Sequence, residues 1–293
     1  MSFEHLSISI ALYCIRMHYT LSNGVQMPCI GIGTHQAQGE GAVAPLAQAI
    51  NEGYRLIDTA AAYLTEPVVA KAVQACDVPR EELFITSKLR NACHGYQATM
   101  EAFELTLANL ETDYLDLYLI HWPNPIQYRT IWREATKGTW RAFEELYAQG
   151  RIRAIGVSNF MPHHIEMLME DAKVLPMVNQ LKLCPGVTQP EIVGYCKEKG
   201  IRIEAYSPFG TGQVFRSEQI QSLAAKYGRS AGQICLRWSI QMGFIPLPKS
   251  VTPARIRENL NVFDFELSPE DMALISGMEG CCEPAIDPDA IAF

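Results

Sequence analysis

Basic residues are scarce in this chain: 24 Lys and Arg stand against 32 Asp and Glu, a formal net charge of -8. That balance argues against nucleic acid or an anionic membrane as partner, although a few placed cations still suffice for a small anion. No Cys-x-x-Cys pair occurs among the nine cysteines, and the vicinal Cys281-Cys282 cannot by itself make a zinc site. An odd number of cysteines at irregular spacing, in 293 residues, reads as reduced thiols of a cytoplasmic protein, most of them buried as small hydrophobes. Pro/Gly/Ser-rich linkers, charge blocks and low-complexity tracts are missing too, which favours one domain over two. The apolar run Ile8-Ser-Ile-Ala-Leu-Tyr-Cys-Ile15 is too short to cross a bilayer as a helix. It follows Glu4 and His5 rather than Lys or Arg, and no small-x-small cleavage site comes after it, so it does not read as a leader. Residues 1–16 are expected to be an N-terminal extension, with Met17 as the functional beginning and 17–293 as one domain.

From Met17 onward the pattern is regular. The segment His18-Tyr-Thr-Leu-Ser-Asn23-Gly24-Val-Gln-Met-Pro28 reads as a β-hairpin, because Asn-Gly is the preferred pair for a two-residue turn. Strands are expected at 29–33, 54–59, 83–88, 115–121, 152–157, 176–182, 202–207 and 244–248. Between them lie amphipathic stretches near 41–53, 66–76, 96–111, 136–149, 162–171, 188–199, 216–226 and 230–242. A last helix near 268–278 has a strong start in Ser268-Pro269-Glu270-Asp271. Eight strand–helix units in one run imply parallel strands, and closing them gives a (β/α)8 TIM barrel with the hairpin covering its bottom. An open doubly wound sheet is disfavoured, since Gly31-Ile-Gly33-Thr-His-Gln36 lacks the third glycine of a dinucleotide fingerprint.

Four polar residues lie in or just after the apolar runs: Asp58 and Tyr63 in Arg55-Leu-Ile-Asp-Thr-Ala-Ala-Ala-Tyr63, Lys88 in Leu83-Phe-Ile-Thr-Ser-Lys88, and His121 in Leu117-Tyr-Leu-Ile-His121. An ionisable group at the end of a buried strand is costly unless it has a partner or a task. In a barrel these strand ends share one mouth with Ser158, Asn159, Gln180, Tyr206 and Lys249. An acid, a phenol, an amine and an imidazole together can move a proton onto a carbonyl oxygen. A free phenol, with a pKa near ~10, is a sluggish acid at neutral pH. A buried ammonium beside it favours the phenolate, a carboxylate keeps that ammonium charged, and an imidazole can donate to the carbonyl oxygen. A buried ion pair with a capping hydrogen bond is the plainer alternative. No metal-ligand spacing occurs among these residues, and His163-His164, at a helix start, read as surface.

A second group follows the last strand: Pro248-Lys249-Ser250-Val251-Thr252-Pro-Ala-Arg255-Ile-Arg257-Glu258-Asn259. Phosphate sites in barrels form after strands seven and eight, at a helix N-terminus. Two cations and two hydroxyls within seven residues fit a phosphate monoester, such as the 2′-phosphate of NADPH. An ordinary capped helix with surface cations fits as well.

These residues resemble the aldo-keto reductase family. The matching pieces are Asp58-Thr-Ala-x-x-Tyr63-x-x-Glu66, Thr86-Ser-Lys88, Leu119-Ile-His121-Trp-Pro123, Gly156-Val-Ser-Asn-Phe160, Asn179-Gln180, Ala205-Tyr-Ser-Pro208, Pro248-Lys-Ser250 and Arg255-Ile-x-Glu-Asn259, in that order. The resemblance implies a (β/α)8 barrel that uses NADPH/NADP+ to interconvert carbonyls and alcohols. It implies Tyr63 as proton donor, supported by Lys88, Asp58 and His121. Ser158, Asn159 and Gln180 would hold the nicotinamide carboxamide, and Tyr206 would stack on the ring. Ser207, Pro208, Phe209 and Gly210 would follow the pyrophosphate. Lys249, Ser250, Val251, Thr252 and Arg255 would surround the 2′-phosphate, with Glu258 and Asn259 near the adenine. Trp122, together with His121, Tyr63 and His35, would line the substrate pocket.

The chain departs from the family pattern in places. His35-Gln36 stand where many members carry an aromatic, and Lys182-Leu-Cys184-Pro185 replaces Glu-Leu-His-Pro. The loop from Gly210 to Phe215 is short, which predicts an open cofactor cleft with fast exchange. The chain looks closest to short microbial-type members, of the diketo-gluconate and aldehyde reductase kind, acting on keto sugars, α-keto aldehydes and simple aldehydes. A small-molecule carbonyl substrate and a monomeric state are expected. Two alternatives remain at this point. One is a cofactor-binding regulatory module of the same fold; the other is a phosphosugar isomerase or aldolase, for which a Lys88 held charged by Asp58 would be a poor nucleophile.

Overall fold

The computed structural model describes residues 18–293, so the expected extension lies outside the described residues. A hairpin of β1 (His18–Thr20) and β2 (Gln26–Pro28) opens the fold. Its turn is longer than the two residues expected: Leu21 N–H donates to Val25 O at 2.9 Å, leaving three residues in the loop. Gly24, at φ 89°, takes the left-handed position that closes such a turn.

Eight parallel strands follow in sequence order: β3 (Gly31–Gly33), β4 (Leu56–Asp58), β5 (Phe84–Leu89), β6 (Leu115–Ile120), β7 (Ile152–Ser158), β8 (Val178–Lys182), β9 (Arg202–Tyr206) and β10 (Ile245–Leu247). Gly33 N–H donates to Pro248 O at 2.9 Å across the seam between β3 and the chain just after β10, so the barrel is nearly closed. Every residue of β5 and β6 is buried, as befits strands covered by helices outside and filled by side chains inside. Close approach constrains one position in particular: a Cβ on Gly156 would lie 2.5 Å from Val178 O.

The outer helices are α1 (Val43–Asn51), α2 (Glu66–Ala75), α3 (Tyr96–Leu110), α4 (Trp132–Ala148), α5 (Pro162–Met169), α6 (Pro190–Glu198), α7 (Glu218–Tyr227), α8 (Ala231–Gln241), α9 (Pro253–Leu260) and α10 (Pro269–Ser276). Tyr118 on β6 packs between Phe103 of α3 and Phe143 of α4, at ring centroid distances of 5.4 and 4.7 Å. The hairpin covers the end where strands begin: Arg202 lies 4.3 Å over the Tyr19 ring, and Asn23 Nδ2 donates to Arg153 O at 2.9 Å. At that same end the buried Asp116 holds Arg80 and Arg153 at 2.9 and 2.7 Å. The opposite end, where strands finish, is left to the candidate site. Among the described residues no helix is long and apolar enough to cross a membrane, and the eight described cysteines are all free.

Candidate active site

A cleft of about 1070 Å³ occupies the C-terminal mouth of the barrel. Asp58, Tyr63, His121, Trp122, Ser158, Asn159, Gln180, Tyr206 and His35 line one end of it. Lys249, Ser250, Arg255, Glu258 and Asn259 line the other, so the two groups singled out in the sequence belong to one continuous cavity.

Lys88 is fully buried just behind this lining. Its Nζ donates to Asp58 Oδ1 at 2.6 Å and to Thr59 O at 2.9 Å. Burial acts to strip the ammonium of its proton, but Asp58 and then Tyr63 outweigh it, and the Lys88 pKa ends up raised. The Tyr63 ring sits over this ammonium, with Nζ 4.8 Å from the ring centroid. Burial raises the phenol's pKa; Lys88 is the strongest influence pulling it back. Tyr63 comes from a short turn of helix, Ala61–Tyr63, set between β4 and α2. Its ring meets His35 edge-on at 4.9 Å and His121 at 5.6 Å. His121 has a pKa well below the usual imidazole value because it is buried and close to Lys88. It is therefore neutral at pH 7 and offers one N–H donor.

The polar residues along β7 to β9 are mutually bonded. Gln180 Nε2 donates to Asp58 Oδ1 and to Glu204 Oε2, both at 2.8 Å. Since the Asp58 carboxylate can only accept, the amide must turn its Nε2 toward it, and Gln180 offers the cleft its Oε1 acceptor. Asn159, at φ 60°, donates to His121 O at 3.1 Å and to Ser158 Oγ at 3.0 Å. Its Oδ1 accepts from the Tyr206 hydroxyl at 2.9 Å. Ser158 Oγ in turn donates to Gln180 O at 2.9 Å. Ser158 and Asn159 can thus hold a further group only through their remaining acceptor lone pairs or by exchanging a present bond.

At the far end Arg257 is paired with Glu52 at 2.7 Å. Lys249 and Arg255, both exposed, have no carboxylate partner among the described residues. Thr252 immediately precedes α9, and its N–H donates to Ser250 Oγ at 3.1 Å. Ser207, Pro208 and Phe209 line the cleft, whereas Gly210, Val251 and Thr252 do not. Gly210 is packed against the chain's own sulfurs: a Cβ there would lie 2.2 Å from Cys282 Sγ and 3.4 Å from Cys184 Sγ. The Lys182-Leu-Cys184 departure and the vicinal Cys281-Cys282 pair therefore meet in space, and Lys182 Nζ secures the later segment by donating to Glu283 O at 2.9 Å.

Several residues were not anticipated. Arg229, Ser230, Ala231 and Gly232, around the start of α8, line the cleft as well, and Arg229 is paired with Asp264 at 2.8 Å. The capping box of Ser230 and Gln233 was a readable helix start, but nothing local aimed it at the cleft. Phe293 reaches the site from the chain's end and meets Trp122 edge-on at 5.5 Å. Glu204, fully buried on β9, was passed over as a strand residue. An acid between Ile203 and Ala205 was its visible signal. The expectation that His163-His164 lie on the surface holds for His163 only. His164 is buried, accepts from Met161 N–H through Nδ1 at 3.1 Å, and meets Asp289 through Nε2 at 3.0 Å. That leaves its proton on Nε2, so His164 ties down the C-terminal segment and has no free imidazole lone pair.

The barrel with this mouth is of the kind found in NAD(P)-linked carbonyl reductases, and comparison with known proteins agrees. The sequence profile of the aldo/keto reductase family matches residues 29–279, and the chain belongs to that family. It is 47% identical to glyoxal reductase of Bacillus subtilis over 274 residues, covering 93% of this chain and 96% of that protein. An aldo-keto reductase from a Medee basin deep-sea metagenome library superposes with a TM-score of 0.88 at 39% identity, covering 94% of this chain and all of that one. A Bombyx mori aldo-keto reductase in complex with NADP superposes with a TM-score of 0.81 at 34% identity, covering 89% of this chain and 92% of that one.

Proposed function

We propose that this protein reduces aldehydes and ketones to alcohols with NADPH, and that Tyr63 delivers the proton. The observation that carries this reading is the buried Lys88–Asp58 pair, at 2.6 Å, beneath the ring of Tyr63 at the mouth of the cleft. Tyr63 donates its phenolic proton to the substrate's carbonyl oxygen. Lys88, held protonated by Asp58, stabilises the phenolate left behind. Neutral His121 donates its one N–H to the same oxygen and fixes the carbonyl's pose. Trp122, His35 and Phe293 wall the substrate end.

The residues present fit NADPH, which when bound supplies the hydride. Gln180 offers an acceptor for a carboxamide N–H, and Lys249 and Arg255 offer unpaired cations for a phosphate monoester. A complex with NADP in the Bombyx mori relative supports the cofactor class. The name of the Bacillus subtilis relative favours small α-dicarbonyls and α-keto aldehydes as substrates. We further propose a cytoplasmic monomer; the free thiols of the described cysteines fit a reducing compartment.

The test follows NADPH absorbance with a panel of α-keto aldehydes, simple aldehydes and keto sugars. Steady oxidation of NADPH dependent on a carbonyl is expected. Tight NADPH binding with no carbonyl reduced would replace this reading by that of a cofactor-binding module.

A further inference from the structure

Glu204 projects from β9 into the barrel and is fully buried, with no place in the proton-transfer scheme. Its Oε2 accepts from Gln180 Nε2 at 2.8 Å, while its Oε1 is buried without a hydrogen-bond partner among the described residues. Gln180 is its direct neighbour in the parallel register of β8 and β9, and the second N–H of the same Nε2 donates to Asp58. On the opposite side, the register partner on β10 is the apolar Ile245. A carboxyl group is a poor filler for such a position, because its burial is costly and half of its acceptor capacity goes unused.

We infer that Glu204 is a positioning residue for carbonyl reduction: it holds the Gln180 amide with its acceptor oxygen toward the cleft, and it sets the charge beside Lys88 and Asp58. The inference rests on the reductase reading above. Without Glu204 the amide is held by Asp58 alone, and its plane is free to tilt away from the angle that aims Oε1 at the cleft.

The charge acts as follows. Burial and the Asp58 carboxylate push the Glu204 carboxyl up to about 8; Gln180 and Lys88 pull it the other way. The groups acting on it are Asp58 from β4, Lys88 from β5 and Gln180 from β8, with Tyr63 sensing it in turn. Glu204 is thereby held toward its neutral acid form, whose carbonyl oxygen still accepts from Gln180 Nε2. Above pH 8 it becomes a second anion near Asp58, which raises the Tyr63 pKa further and makes the phenol a weaker acid. Reduction should then slow as pH rises through about 8, below the range in which the phenol itself ionises.

Two variants separate these effects. Glu204→Gln keeps an acceptor for Gln180 and removes the ionisation. It should bind NADPH within about twofold of wild type and lose the fall in kcat/KM above pH 8. Glu204→Met removes the acceptor as well and should weaken NADPH about tenfold, the scale of one lost hydrogen bond. In a Gln180→Met background the same change should add nothing. An unchanged alkaline limb in Glu204→Gln would overturn the inference. So would an equal loss of NADPH affinity from Glu204→Met with and without Gln180. If Glu204→Met does not fold, the pH profile of Glu204→Gln still decides. A wild-type protein that reduces no carbonyl would sink the reductase reading alone, because NADPH titration of these variants would still read out the Gln180 orientation.

Discussion

Removing one partner of the Lys88–Asp58 pair should be far worse than removing both. In Asp58→Asn the fully buried ammonium keeps Thr59 O, at 2.9 Å, and at most a neutral amide oxygen, and neither supplies a countercharge. In Lys88→Met the carboxylate keeps only the Gln180 N–H, at 2.8 Å. An uncompensated charge in such surroundings costs about 3–5 kcal/mol. For a domain of this size that corresponds to a fall in Tm of roughly 6–20 °C. The double variant replaces the pair by a neutral amide and an apolar side chain, and such replacements are close to neutral in stability. It should therefore lie within about 2 kcal/mol of wild type, giving a coupling energy of about 4 kcal/mol or more. Urea unfolding of the four proteins at pH 7 measures the cycle. Losses that simply add in the double variant would refute the claim that Lys88 is charged because Asp58 holds it.

Further outcomes concern other parts of the molecule. Arg255→Ala should weaken NADPH about tenfold while leaving NADH within about twofold, because Arg255 lines the cleft without a carboxylate partner; equal losses for both cofactors would remove Arg255 from the 2′-phosphate. His94 is buried with neither ring nitrogen bonded among the described residues, and burial lowers its pKa to about 4. The unfolded chain takes up that proton near pH ~6.5, so the stability His94 contributes is full above 6.5 and is lost as pH falls toward 4. His94→Phe should remove about 2 kcal/mol of the loss in unfolding free energy between pH 7 and 5, and an unchanged pH slope would contradict this. Gly156→Ala, whose Cβ would lie 2.5 Å from a backbone oxygen, should cost about 1–3 kcal/mol in denaturant unfolding; a variant as stable as wild type would show that β7 and β8 can part freely.

Much of the fold was legible because strands and helices carry different periods. All eight barrel strands fall within two residues of where the apolar runs place them, and the hairpin does as well. The α4 helix begins at Trp132, four residues before its expected start, because Trp132 and Ala135 turn toward buried neighbours although no Ser, Thr, Asp or Asn caps the helix. Asp58 and Lys88 could be read from sequence since each is an ionisable residue near the end of an apolar run. Glu204 obeys the same logic but sits two residues inside its strand, so only the barrel reveals that it faces Gln180 and Asp58. Phe293, Arg229 and the Cys184–Cys282 contact depend on chain segments far apart in sequence, and no local pattern encodes such meetings. His164 reads as polar, yet its cap bond to Met161 and its bond to Asp289 satisfy both nitrogens and permit burial.

The most direct test of proton donation by Tyr63 is the turnover of Tyr63→Phe, measured beside its NADPH dissociation constant. The change removes one hydroxyl and leaves the ring that packs against His35, His121 and Lys88. Reduction should fall by about 10²–10⁴-fold, the range for loss of a general acid, while NADPH affinity stays within about twofold. Turnover above a tenth of wild type, on the same order-of-magnitude scale, would contradict the account.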